Sequence, residues 1–270
     1  MSAYLGPIGG LISVAQFRGS QDTKVERTFT EKRLLSGATR VQMTPRPSRS
    51  WNCAVPHSRL QHHAALKAYV YGGWEQPPLF VPVDAPYSNV MTPQRSQPGR
   101  AGGWAGDGVP ETGMQVPGIG PVTGLRSAGG LVTLGGFSTP VMPGRPMTGS
   151  VWCSTVGGGP VRLVLTVFSA SRAVVSTQTV TRNLGLTMER LSVSAPPSSS
   201  GAYAQLQVRG ANAIACAACT WTADVRPWVP GVLAGAVFIS GWSSELKTLD
   251  VNQREPVESL SFEVMEVGDA

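Results

Sequence analysis

The feature that most constrains this chain is a period-two alternation of apolar and polar residues, repeated in short pieces. From residue 160 it reads Pro-Val-Arg-Leu-Val-Leu-Thr-Val-Phe-Ser, and from residue 202 Ala-Tyr-Ala-Gln-Leu-Gln-Val-Arg. Successive side chains of a strand point to opposite faces, so Val161, Leu163, Leu165 and Val167 share one side, as do Ala202, Ala204, Leu206 and Val208. Ala173–Val180, Glu189–Ala195 and Gly149–Ser154 read as further strands. Runs rich in Gly, Pro and Ser separate them. Gly 32 and Pro 22 in 270 residues follow no collagen-like period, and turn formers at this density favour many short strands over long helices. The fold class expected is all-β: an antiparallel, jelly-roll β-sandwich, with one short helix near residues 58–70.

The texture changes along the chain. Ser48–Val55 alternates with Trp51, Cys53 and Val55 on one face. The stretch from Gln94 to Pro121 is dominated by Gly, Pro and polar residues and reads as a loop or module boundary. Near the end, Leu260, Phe262 and Val264 alternate with Ser261 and Glu263, a half-buried closing strand. A closing hairpin cannot stand alone and must complete a sheet begun elsewhere. The expected organisation is therefore a hub β-sandwich, residues 1–93, split by an inserted sandwich, residues 94–228, and completed by closing strands, residues 229–270.

Charge points the same way. The whole chain carries +6, but residues 1–97 carry +6, residues 98–230 carry +5 and residues 231–270 carry −5. A basic N-terminal region and an acidic C-terminal strip attract each other, within one subunit or between neighbours. No basic run is interleaved with aromatics as in a single-strand-binding groove, so no nucleic-acid partner is expected. Met1–Val14 has no basic start and is broken by Gly6, Pro7, Gly9 and Gly10, so no secretory leader is read and synthesis in the cytoplasm is expected. Val229–Ile239 is too short and too rich in Pro and Gly to span a bilayer, so no membrane insertion is expected.

No catalytic, metal or cofactor site emerges. Cys216 and Cys219 have zinc-knuckle spacing, but on a strand residues three apart face opposite ways, and they read as small buried hydrophobes with Cys53 and Cys153. His57, His62 and His63 fall on or beside the expected helix, where adjacent residues diverge. Pro196–Gly201 is a turn and no nucleophile elbow. Gly118-Ile-Gly120 and Gly157–Gly159 precede Pro and no helix. Asp107, Glu111, Glu189 and Asp224 are the sparse carboxylates of the middle region, and nothing pairs them as a glycosidase requires. A non-enzymatic protein without cofactors is the expectation.

The opening Gly6-Pro-Ile-Gly-Gly-Leu, then Arg49-Ser-Trp, a short helix, and Gly72-Gly-Trp ahead of Leu79-Phe-Val-Pro-Val-Asp resemble the distal tail and minor tail proteins of long-tailed actinobacterial phages. Thr148-Gly-Ser-Val-Trp-Cys, Arg190-Leu-Ser-Val-Ser-Ala-Pro and Ala202-Tyr-Ala-Gln-Leu-Gln-Val resemble the galactose-binding-like jelly rolls inserted in such proteins. Ser259-Leu-Ser-Phe-Glu-Val-Met-Glu-Val-Gly is similar to the hub's closing strand. The resemblance implies a structural virion protein at the tail tip, forming a symmetric ring, expected to be hexameric, between the tail tube and the receptor-binding tip. Its partners would be further copies of itself and neighbouring tail proteins. The jelly roll also raises a carbohydrate-binding adhesin that recognises a host surface glycan, with Trp104, Trp152, Phe168, Tyr203 and Trp221 as the aromatic platform.

Overall fold

The alternating segments become strands. The computed structural model describes residues 2–16, 24–26, 29–33, 36, 39–43, 48–58, 60–71, 77–100, 103–250 and 255–267. The Gly72-Gly-Trp74 motif lies outside the described residues. The chain divides into two compact units, one of residues 1–7, 12–80 and 234–270, the other of residues 8–11 and 81–233.

The first unit begins with β1 (Ser2–Gly6), β2 (Ile12–Gln16), β3 (Lys24–Glu26), β4 (Phe29–Arg33), β5 (Thr39–Met43), β6 (Ser48–Ser58), the helix α1 (Leu60–Val70) and β7 (Leu79–Val81). The second unit contains β8 (Trp104–Gly106), β9 (Val109–Val116), β10 (Gly120–Arg126), β11 (Leu131–Pro140), β12 (Met147–Ser154), β13 (Gly159–Phe168), β14 (Val174–Leu184), β15 (Glu189–Ala195), β16 (Tyr203–Arg209) and β17 (Ala213–Thr220). The chain then returns to the first unit through β18 (Val237–Asp250) and β19 (Glu255–Glu266).

In the first unit the strand order is β18-β19-β6-β2-β1-β7, with β3 also paired to β6. The orphan closing strand finds its sheet: Leu260, Phe262 and Val264 stand opposite Val55, Cys53 and Trp51. All six are buried, whereas Asn52 and Ser261 on the other face are exposed. Matching alternation on both strands fixes this register, because a one-residue slip would turn every apolar side chain to solvent. Trp51 packs against Phe80 with ring centroids 4.8 Å apart, and Leu66 of α1 is fully buried. Arg49 lies over the Trp51 ring and makes a two-pronged ion pair with Glu266 at 2.7 Å, joining strands far apart in sequence. Of His57, His62 and His63 only the backbone is described.

The second unit is a sandwich of two five-stranded antiparallel sheets, ordered β15-β12-β17-β10-β9 and β14-β13-β16-β11-β8. Val161, Leu163, Leu165 and Val167 from β13 and Ala204, Leu206 and Val208 from β16 are buried between them. A Cβ added to Gly149 of β12 would sit 2.4 Å from a Leu206 methyl, so the sheets touch there and any larger residue would force Leu206 to shift.

Gln94–Pro121, which reads as a loop, instead supplies β8, β9 and the first residues of β10. Strands β8 and β9 are the terminal strands of the two sheets, where little apolar surface is needed and Pro110 is tolerated. Only Met114 and Val116 of β9 are buried, too few to write a clear alternation.

Candidate functional site

The five aromatic candidates do not form one platform. Trp221 is 4% exposed, and its indole N–H donates to the Pro140 carbonyl at 2.9 Å, so it staples the core. Trp152 of β12 points away from the inter-sheet core and packs with Met114, Val116, Met188, Ala215 and Cys216, its indole N–H shut away from solvent. Trp104 pairs in register with Leu134 and is half-buried. Only Phe168 and Tyr203 come together. They stand opposite one another on β13 and β16, both half-buried, and the Tyr203 hydroxyl donates to the Ala170 carbonyl at 3.3 Å.

These two rings head a face no periodicity count had singled out. On the sheet containing β13 and β16, the residues between the buried ones point outward in register. One row runs Thr177–Thr166–Gln205, and the next runs Thr179–Val164–Gln207–Thr133. A third row runs Thr181–Arg162–Arg209–Leu131. Hydroxyls and carboxamides dominate, groups that both donate and accept hydrogen bonds. Arg162 and Arg209 stand directly opposite, an unfavourable like-charge pair that an anionic group would relieve. The signal was present in the sequence as the polar half of the same alternation.

Two middle-region carboxylates do meet, around a hollow of about 450 Å³ lined by Asp107, Glu111 and Arg126. Both are already engaged. The Asp107 carboxylate accepts from the Ser127 hydroxyl at 2.8 Å and from the amides of Ala128 and Gly130 at 2.9 and 3.0 Å, anchoring the turn between β10 and β11. Those bonds, the Ser127 hydroxyl first, hold its carboxyl below the usual range. Glu111 forms a two-pronged pair with Arg126 across β9 and β10, which likewise lowers its carboxyl. A general acid needs the opposite shift. Asp107 and Glu111 are therefore built as structural anions.

The cysteines are buried as the alternation suggests. Cys219 stands opposite Gly149 on the inter-sheet side, while Cys216, at φ 51°, sits in a β-bulge between the pairings of Ser150 and Trp152. Burial pushes all four thiols up to about 12, so they stay protonated and unreactive at neutral pH. Among the described residues no group of three His, Cys, Asp or Glu is placed to hold a metal, and no helix is long and apolar enough to cross a membrane.

The chain is thus an all-β protein with a β-sandwich, exposing a polar sheet face. No protein-family model matches the chain, and no curated protein does. Solved structures that resemble it include the CBM22-1–GH10 modules of Clostridium thermocellum endo-1,4-beta-D-xylanase 10B complexed with xylohexaose, at 13% identity and TM-score 0.32 over 44% of this chain and 26% of that one. Another is the enzymatically active domain of tailspike protein 4 of bacteriophage CBA120, at 14% identity and TM-score 0.36, covering 50% and 22%. The Dit hub protein of phage SPP1 follows at 9% identity and TM-score 0.23, covering 80% and 98%. The chain spans about a quarter of the length of the first two. These likenesses are weak, and the functional reading rests on the chain's own residues.

Proposed function

We propose that the chain is a structural component of a phage tail tip, a distal tail protein that assembles as a symmetric ring between the tail tube and the receptor-binding apparatus. The split sheet carries the reading: strands from both ends of the chain complete one sheet, and that sheet ends on a 14-residue strand, β18. A long terminal strand presents a row of backbone donors and acceptors that another chain can pair with. The sequence resemblance of the opening and closing segments to distal tail proteins supports the same assignment. Light scattering on the purified protein tests it. A ring gives a mass several times 28.4 kDa, near six times for a hexamer. A monomer at every concentration overturns the assignment.

The Thr/Gln face favours a second reading, a glycan-binding surface displayed at the tail tip. A row of hydroxyls and amides beside two aromatic rings suits a sugar's alternating hydroxyl and C–H surfaces, and Arg162 and Arg209 suit an acidic substituent. Titration with host-wall glycan should show binding that Gln207→Ala and Tyr203→Ala each weaken about tenfold, a loss of roughly 1.4 kcal/mol. Unchanged affinity in both variants removes this face from consideration.

A further inference from the structure

The two sheets of the second unit carry charge differently. Strands β9, β10, β12, β15 and β17 hold two glutamates and two arginines. Arg126 is paired with Glu111, and the half-buried Arg190 donates to the Ser150 hydroxyl at 2.8 Å. Strands β8, β11, β13, β14 and β16 hold three arginines and no acidic residue. Two of the three, Arg162 and Arg209, stand directly opposite on the interior strands β13 and β16, and both are exposed. Neither has an ion-pair or hydrogen-bond partner among the described residues. The Asp107 amide bonds the Leu131 carbonyl at the end of their row, but its carboxylate is committed to Ser127, Ala128 and Gly130.

The position of this charge restricts what the face can take. The Phe168–Tyr203 pair and the Arg162–Arg209 pair lie six residues apart along each strand, about 20 Å. The two rows between them contain only Thr, Gln and Val. A polymer with an anionic group on every unit would lay charge over these neutral rows, where desolvating it gains no ion pair. A wholly neutral polymer would leave two like charges facing each other unrelieved. The face matches a chain that is neutral over most of its length and charged at one place.

We propose that this face takes an extended, sparsely acidic glycan, with its carboxylate or phosphate between Arg162 and Arg209 and a neutral sugar against Phe168 and Tyr203. This rests on the glycan reading above and names the ligand's class and the end at which its charge sits. Guanidinium donors from two neighbouring strands converge on one anion, and Thr181, in register with Arg162, adds a hydroxyl. Nucleic acid is the competing polyanion. It carries a phosphate at each nucleotide, which the neutral rows do not match.

An array of neutral and acidic bacterial surface glycans, probed with the full chain, tests the inference. The glycans bound should carry a carboxylate or a phosphate. Removing that group, by carboxyl reduction or dephosphorylation of the bound glycan, should weaken binding about tenfold or more. Arg162→Gln and Arg209→Gln should each weaken binding of the acidic form about tenfold and leave the neutralised form unchanged. Tyr203→Ala should weaken both forms alike. Both arginines are exposed, so thermal unfolding of their variants should not fall, and relief of the like-charge pair should raise it slightly. If no glycan binds, the glycan reading falls and this inference with it. If the bound glycans are neutral, or the arginine variants keep full affinity for acidic ones, only the anion site is overturned. Single-stranded DNA bound as tightly as the glycan, and lost in the same variants, also overturns it and makes the face a nucleic-acid surface.

Discussion

Asn89 has no exposed surface and makes four hydrogen bonds. Its amide nitrogen donates to the carbonyls of Ala217 and Val229 at 3.1 and 3.0 Å. Its oxygen accepts from the backbone amides of Met91 and Cys219 at 3.2 and 3.1 Å. One side chain therefore ties the strand-poor segment around residues 89–91 to β17 and to the chain leaving the sandwich. The pairing of β10 with β17 covers only Ala213 and Ile214, and beyond it Asn89 supplies partners that a longer ladder would have supplied. Asn89→Ala strands buried backbone groups without partners, each costing about 1–3 kcal/mol. The expected loss is about 3 kcal/mol in chemical denaturation, with thermal unfolding lowered by roughly 10 °C. A loss below about 1 kcal/mol would mean that water reaches this site and replaces the amide. Nothing in the local sequence Tyr-Ser-Asn-Val-Met marked Asn89 for this role, because all its partners except Met91 are more than a hundred residues away.

At the scale of elements, legibility followed how much of a strand is buried on one side. Strands β13, β16 and β19 are central in their sheets and write their burial directly into the alternation. Strands β8 and β9 lie at sheet ends, bury few side chains, and so look like loop in a Gly- and Pro-rich stretch. The site was legible in part and for a related reason. Alternation predicts that Tyr203 and Phe168 point away from the core of their own strands. Which strands are neighbours, and in what register, is set by long-range pairing that alternation does not encode. Only Phe168 and Tyr203 of the five aromatics end up adjacent, while Trp152 faces outward on the other sheet and Trp221 turns inward beyond β17. The polar face beside them needed the same register.

At the scale of the molecule, we propose that the sandwich is an insertion that folds by itself, and its ends suggest where to cut. The chain leaves the first unit at Phe80 and re-enters it at Ala234. These two residues exchange backbone hydrogen bonds of 3.1 and 3.0 Å, so an inserted module needs no long connection. Residues 81–93 are bonded to the sandwich and residues 229–233 to them: Val90 donates to the Cys219 carbonyl at 2.8 Å, while Val232 donates to the Asn89 carbonyl and Leu233 to the Met91 carbonyl, both at 3.1 Å. Val90, Met91 and Leu233 are buried, and burying each such side chain is worth about 1.5–3 kcal/mol. A fragment of residues 81–233 should therefore unfold cooperatively with a strand-rich circular dichroism spectrum. A fragment of residues 94–228, cut where the composition changes, keeps every strand of the sandwich but loses these three side chains and Asn89. It should be less stable by at least about 5 kcal/mol, enough to leave many domains of this size unfolded at room temperature. Equal stability of the two fragments would show that the flanking segments belong to the hub, and would move the boundary inward to the change in composition.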